Sequence, residues 1–341
     1  MNWYLDNGKE SDVILSSRIR LARNIQGLPF KTKMTKEDIN ELLEKVKFIT
    51  PSLGYRLKYL RIKDMDDVTK LSLVEKHIIS PDIISDNNEE ESAILINDEE
   101  NICIMINEED HIRIQIFNSG LDLQNTMNLA REIDEKLDEL LHFAVNEKYG
   151  YLTACPTNVG TGLRASVMVH LPALKLTGNI SKILHIVNSF GMTIRGIYGE
   201  ETQSKGDMYQ ISNNQTLGIT EDEIINNLEN ITKKVMEQER LARNYLAKNK
   251  IELEDKVYRS YGILANAVKL SSDECISLLS DVKLGTDLGI IKELNDSKVK
   301  ELELYTKPAN LQKKVGKLLN TYDRDIKRGE IIKEIINKGR W

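Results

Sequence analysis

The chain has 341 residues, 40% of them hydrophobic and 29% charged, with a net charge of −6. That length supports a full core and two domains, and the acidic balance excludes a globally basic nucleic-acid binder. No apolar run reaches the roughly 20 residues of a membrane span, and the start Met1-Asn2-Trp3-Tyr4-Leu5-Asp6 lacks a signal-peptide pattern. Cys103, Cys155 and Cys275 form neither a C-x-x-C pair nor a zinc-ligand cluster, so the chain is expected in the reducing cytoplasm without a protein-held metal.

Thr35 to Phe48 reads as a helix, with Thr35 as N-cap, Glu37 and Asp38 in the first turn and Ile39, Leu42, Leu43 and Val46 at helical spacing. Leu53 to Ile62 alternates loosely and predicts a strand. Ala93–Ile96 and Ile102–Ile106, with acidic turn residues between them, predict a hairpin. Ile112 to Ile116 alternates strictly, as a half-buried strand should. Leu123, Met127, Ala130, Ile133, Leu137, Leu140 and Leu141 mark a long amphipathic helix. Ala165 to Leu171 predicts a strand ended by Pro172, Ile180 to Phe190 a helix, and Met192 to Ile197 and Met208 to Ser212 two more strands. From Thr220 the pattern turns helical towards Lys248, is helical again from Glu252 to Val268, and stays so to the end. Strands in groups with intervening helices favour an α+β fold. The expectation is a largely antiparallel sheet flanked by helices over residues 1–245, then a smaller all-helical domain over 246–341.

Four segments carry arginine or acid where folding alone does not require it: Ser16-Ser17-Arg18-Ile19-Arg20, Asn107-Glu108-Glu109-Asp110-His111-Ile112-Arg113, Gly160-Thr161-Gly162-Leu163-Arg164 and Arg195-Gly196-Ile197-Tyr198-Gly199-Glu200. Arginine clamps suit a polyanion such as a nucleoside triphosphate, and carboxylates among them suit a cation, a guanidinium above all. Each segment also has a plain reading. Arg18, Arg20 and Arg23 form a solvated face, the acids make a hairpin turn, and Arg195 and Glu200 make a loop salt bridge. Arg113 weakens that reading, since inside an alternating strand its side chain must face a cavity or a partner. His111 alone reads more readily as structural. Cys155 is a small buried hydrophobe or, at a polar loop's edge near arginines, a reactive thiolate. The loop Pro156 to Gly162 can offer backbone N–H groups to phosphate but is not a Walker A loop.

Taken together and in this order, the segments resemble the guanidino-kinase (phosphagen kinase) family, most closely its bacterial protein-arginine kinase branch. The resemblance rests on SSRIRLARN at Ser16–Asn24, NEEDHIRI at Asn107–Ile114, CPTNVGTGLRASV at Cys155–Val167, RGIYGE at Arg195–Glu200 and ISNNQTLGITE at Ile211–Glu221. It continues in ELEDKVYRSYG at Glu252–Gly262 and LSDVKLGTDLGII at Leu279–Ile291, there only towards the protein-arginine kinase branch. Small-molecule members carry a helical domain before the first arginine motif, and Ser16 is too near the N-terminus for one, which predicts a more open site. Their RGxRGE turn reads RGIYGE here, with Tyr198 in place of an arginine. Arg324-Asp325-Ile326-Lys327-Arg328-Gly329 is similar to the RDxxRA phosphoarginine-binding motif of that branch, with Gly329 for Ala. Residues 307–341 hold ten Lys/Arg against four Asp/Glu, which suits docking of acidic chains or a solvated helical face.

The resemblance implies phosphoryl transfer from ATP, with Mg2+, to arginine side chains. It implies that Arg18, Arg20, Arg113, Arg164 and Arg195 surround the phosphates. Ser16, Ser17, Ile19, His77, Ala165, Ser166, Val167, Met168, Gly196, Ile197, Tyr198 and Gly199 are expected at the nucleotide. Glu109 is expected as general base, Glu200 as a second grip on the guanidinium and Cys155 beside it, while Arg324, Asp325 and Arg328 would bind phosphoarginine. Implied partners are proteins with exposed arginine, the ClpC–ClpP protease, an McsA-like zinc-binding activator, a CtsR-like repressor and a second copy in a homodimer. Two other functions stay open at this point: a kinase of free arginine or another small guanidino compound, and a non-catalytic phosphoarginine-binding adaptor.

Overall fold

Thr35 starts the first long helix as its context predicts. Its hydroxyl accepts the Asp38 N–H and the Asp38 carboxylate accepts the Thr35 N–H, a complete capping box that opens α1 (Lys36–Leu53). The computed structural model describes residues 2–85, 88–197 and 204–337. In chain order the strands are β1 (Ile14–Arg23), β2 (Lys58–Arg61), β3 (Ala93–Ile96), β4 (Ile102–Ile106), β5 (Ile112–Ser119), β6 (Val145–Asn146), β7 (Gly150–Tyr151), β8 (Leu163–His170), β9 (Met192–Gly196) and β10 (Met208–Asn213). The remaining helices are α2 (Asp67–Glu75), α3 (Leu123–Leu141), α4 (Pro172–Leu176), α5 (Ile180–Ser189), α6 (Glu221–Leu246), α7 (Lys250–Asn266), α8 (Ser272–Asp287), α9 (Asp296–Thr306), α10 (Pro308–Val315) and α11 (Thr321–Asn337).

Among the described residues, eight strands form one antiparallel sheet in the order β2-β3-β4-β5-β1-β8-β10-β9, flanked by helices. The expected hairpin is β3–β4, and β5 runs three residues beyond its strictly alternating core. One expectation fails locally, and one strand was not expected. Leu53 to Ile62 is not one strand, because Gly54, Tyr55 and Arg56 all take positive φ (81°, 56° and 50°) and turn the chain before β2. The unexpected strand is β1, where fully buried Arg23 and Ser17 break the polar–apolar alternation of its inner face.

The chain divides into two compact units. One comprises Ser16–Val167, Ser212–Asn230 and the N-terminal residues through Trp3. One face of its strands packs on the 62–84 segment through Ile94, Ile96, Cys103, Met105 and Phe117 against Ile62, Leu73, Ile78, Ile79 and Ile83. Trp3 stacks on Phe117 with ring centres 4.8 Å apart. That cover ends at Gln115, whose amide donates to the carbonyls of His77 (2.9 Å) and Ile78 (2.7 Å). Beyond it the same face carries the arginines.

The opposite face of β1 is locked by Arg23. Its guanidinium makes three hydrogen bonds of 2.7–3.2 Å to Asp134 of α3. It also donates to the carbonyls of Ala22 and Thr161 (3.0 Å each) and lies 3.4 Å from the centre of the Tyr151 ring.

The second unit comprises Tyr4–Leu15, Met168–Ile211 and the chain from Ile231 on. Helices α7 to α11 close around Val257, Leu264, Val282, Leu302, Leu311 and Ile332. Buried Glu239 of α6 accepts the N–H groups of Ala173 (3.0 Å) and Leu174 (2.9 Å), capping α4, and pairs with Arg243 (2.8 Å).

Because Arg23 is wholly buried, removing its counter-ion leaves a desolvated charge. Asp134→Ala should lower unfolding free energy by about 3–5 kcal/mol, read from urea denaturation of the ligand-free protein. A loss below about 1 kcal/mol would show that the pair is not the lock described.

Candidate active site

Register gathers the arginines. In β1 and β5, Arg20 stands opposite Gln115 and Ala22 opposite Arg113, so Arg18, Arg20 and Arg113 share a face. The Ala22 N–H donates to the Gly162 carbonyl at 3.0 Å, which sets β8 so that Arg164 lies level with Arg20 and Ser166 with Arg18. Arg18 Nε accordingly donates to Ser166 Oγ (3.1 Å). A side chain at Gly162 would meet the Ala22 carbonyl at 2.6 Å, and its φ is +62°, so this approach needs glycine.

Four guanidiniums thus repel one another across neighbouring strands. Burial, with Arg164 and Arg113 alongside, pushes the Arg18 guanidinium down to about 10. Arg20 is pushed well below its ordinary value by burial and by Arg18, Arg113 and Arg164, with Glu108 opposing. In both, burial is the larger cause and the neighbouring guanidiniums add to it, so each charge is held in a site that is both desolvated and crowded with like charge. Arg20 Nε is buried without a hydrogen-bond partner among the described residues. An unsatisfied buried donor within a cationic cluster fits a polyanionic ligand.

The acidic turn faces this cluster. Arg113 Nη1 donates to Glu108 (2.8 Å) and Nη2 to Glu109 (3.2 Å). Glu108 is almost fully buried and also accepts the Ser80 hydroxyl (2.6 Å), while Glu109 keeps 44% of its side chain exposed. Burial raises Glu109 above its ordinary value against the pull of Arg113, and Asp110, Glu108 and Asp82 add to the rise. His111 is structural: Nδ1 accepts the Ile25 N–H (3.1 Å), leaving Nε2 to donate to the Pro29 carbonyl (2.9 Å).

Cys155 completes the cavity. A space of about 250 Å³ is lined by Arg20, Arg113, Arg164, Glu109, Cys155 and Asn158, among others. The Cys155 Sγ lies 3.0 Å from Thr157 Oγ1. Its loop is held by Thr216, whose hydroxyl donates to the carbonyls of Thr157 (2.9 Å) and Val159 (2.8 Å). Gly160, at φ +114°, has no room for a side chain beside the Thr216 carbonyl.

The other expected residues fall as follows. Ser17 donates to the Gly120 carbonyl (2.8 Å) and accepts the Asp122 N–H (3.0 Å), so its hydroxyl is committed to the β5–α3 turn. Ser16, Ile19, Ala165 and Val167 are buried in β1 and β8, and Met168 is half-buried. Gln115 ties the His77 backbone to the clamp face. Arg195 is exposed on β9 with Gly196 at the strand's end and Ile197 after it, whereas Tyr198, Gly199 and Glu200 lie outside the described residues. Arg324, Asp325 and Arg328 share α11. Arg328 is fully buried and donates to the carbonyls of Thr306 (2.9 Å) and Leu270 (2.6 Å) and to Asp325 (2.7 Å). Arg324, only half-buried, donates to Thr321 Oγ1 (3.1 Å). The departure at Gly329 has a packing reason, since a Cβ there would meet the Val268 carbonyl at 2.8 Å. Among the described residues no group of three or more His, Cys, Asp or Glu could hold a metal ion, and no helix is long and apolar enough to cross a membrane.

A cationic cradle opening onto a carboxylate and a thiol defines a phosphotransferase site of the guanidino-kinase type, and comparison with known proteins agrees. Residues 32–242 match the family model of the ATP:guanido phosphotransferase C-terminal catalytic domain, and residues 250–340 that of the protein-arginine kinase McsB C-terminal domain. The chain is similar to proteins named protein-arginine kinase from Halothermothrix orenii (49% identity, covering 98% of this chain and 96% of that protein) and Bacillus subtilis (43%, covering 98% and 92%). Among solved structures it is similar to a duplicated taurocyamine kinase from Schistosoma mansoni (TM-score 0.61, 28% identity, covering 77% of this chain and 38% of that one). A lombricine kinase aligns with TM-score 0.59 at 27% identity, covering 70% and 71%. The chain belongs to the ATP:guanido phosphotransferase family, in its protein-arginine kinase branch.

If the cluster is built for an anion, relieving its repulsion should separate stability from binding. Arg20→Gln should raise the unfolding midpoint of the ligand-free protein while weakening ATP about 10- to 100-fold by calorimetry. Unchanged ATP affinity would remove Arg20 from the clamp.

Proposed function

We propose that the protein transfers the γ-phosphoryl group of ATP to arginine side chains of other proteins. The observation that carries this reading is one cavity in which guanidiniums fit for a triphosphate meet Glu109 and Cys155. Arg18, Arg20, Arg113 and Arg164 hold the phosphates, with Arg195 joining them in the same reading. Phosphoryl transfer depends chiefly on alignment and on neutralising charge spread over the transferring group. Mg2+ carried on the triphosphate would neutralise part of that charge.

The acceptor guanidinium is protonated at neutral pH and must lose a proton to attack. Glu109 orients one nitrogen and takes that proton, and Glu200 provides a second grip. The new N–P bond forms as the bond from the γ-phosphorus to the β,γ-bridging oxygen breaks, its electron pair leaving with ADP. Arg113 couples the two halves of the site, because a bound phosphate competes with Glu109 for its Nη2–H. Cys155 lies beside the acceptor and tunes its charge.

In the same reading the functional boundary falls near residue 245, between the two matched segments. On α11, Arg328 holds Asp325 in place while Arg324 offers its guanidinium to phosphoarginine. Protein substrates with exposed arginine, the ClpC–ClpP protease, an McsA-like activator, a CtsR-like repressor, a homodimer and a cytoplasmic setting are the associations it carries.

Glu109→Gln should reduce transfer by about 10²- to 10⁴-fold, with ATP affinity kept in calorimetry. A comparable loss of ATP affinity would overturn the base assignment. Because Glu109 must be ionised to act and its affinity for protons is raised, kcat/KM should fall on acidification through a value above the ordinary carboxylate range of about 4.3. An acid limb at or below that range would contradict it.

A further inference from the structure

We propose that Asp110 is a positioning residue that fixes the distance between Glu109 and Cys155. Asp110 is fully buried, and a single oxygen, Oδ1, accepts both the Asn24 side-chain amide and the Ala154 backbone N–H, each at 2.6 Å. Asn24 extends the joint: its Oδ1 accepts the His111 N–H (3.0 Å), and its amide also donates to the Leu152 carbonyl (3.0 Å). Three segments meet there: the residue after β1, the acidic turn, and the 152–154 stretch that leads into the Cys155 loop. The two groups proposed to handle the acceptor are direct chain neighbours of this joint. Glu109 precedes Asp110, and Cys155 follows Ala154. Both line the same cavity.

Two charge-assisted bonds to one carboxylate oxygen make a stiff link, and alignment at the 1 Å level decides much of the rate in such a site. A purely stabilising carboxylate would have both oxygens satisfied. Here Oδ2 is buried with no partner among the described residues, an arrangement that costs stability. The charge bears on Glu109 as well, since Asp110 is among the groups that raise its affinity for protons.

The inference rests on the proposed reaction, so its test includes a readout that needs no catalysis. Cys103 and Cys275 are fully buried, which leaves Cys155 to report with iodoacetamide on the full chain. Asp110→Ala should lower kcat about 10- to 100-fold with KM for ATP within about twofold, and Asp110→Asn, which keeps an acceptor at Oδ1, should stay within about threefold of the parent. Cys155 should be alkylated several-fold faster in Asp110→Ala than in the parent or Asp110→Asn. Asp110→Glu, which moves the carboxylate by one methylene, should also lower kcat and serves if the alanine variant does not fold. Unchanged alkylation with unchanged kcat in both the Ala and Glu variants would overturn the proposal. So would an Asn variant as impaired as Ala, which would make charge rather than position the cause. If the parent protein makes no phosphoarginine, the proposed reaction fails, and the alkylation series still judges the joint.

Discussion

Mutual repulsion among guanidiniums is the constraint on which the rest of the site depends. Arg18, Arg20, Arg113 and Arg164 are brought to one sheet face by strand pairing, and Arg113 bonds Glu108 and Glu109 into the cluster. Such a group would spread apart if its backbone were free to move. It is held by rigid surroundings: Arg23 clamps the back of β1 to α3 and to the loop before β8, and Gly162 allows the close approach of β8. Gln115 anchors the His77 segment at the border of the cluster. Under the proposed function, a triphosphate bound there would relieve that repulsion, so the same feature would lower stability and provide affinity.

The acidic half of the site is tied to the basic half through one residue. Arg113 bonds Glu108 and Glu109 at once, and the burial of Glu108 makes it the fixed partner. Glu109 is the exposed and weakly held one, at 3.2 Å, and so the one available to an incoming cation. The turn itself is stiffened from behind by Lys31, which donates to the carbonyls of Asn107 (2.8 Å) and Glu108 (2.5 Å). A site of this kind can hold its reacting groups in place before either substrate arrives.

Much of this could be read from the residues. Arg113 within the alternating run Ile112–Ile116 had to face something other than core, and the cavity is what it faces. The N-cap at Thr35, the hairpin and the long helix α3 are local signals and formed as expected. What stayed hidden is long-range. Nothing local distinguishes Gln115, which spans from β5 to His77, or Asp110, which reaches across to Ala154. Arg23 read as part of a solvated face and Arg328 as part of a phosphoarginine-binding motif, yet both side chains are buried and satisfied by carbonyls and carboxylates. The α11 motif was legible as a string of residues, but the burial of Arg328 and the tight seat of Gly329 depend on segments far away in the chain.

The central claim is that this site phosphorylates arginine presented by a protein. The most direct measurement is to incubate the purified chain with Mg-ATP and either a loosely folded arginine-containing protein or free arginine. Products are kept from acid, which cleaves the P–N bond, and read by mass spectrometry. The account predicts phosphoarginine on the protein and none on the free amino acid, while transfer to free arginine alone would contradict it.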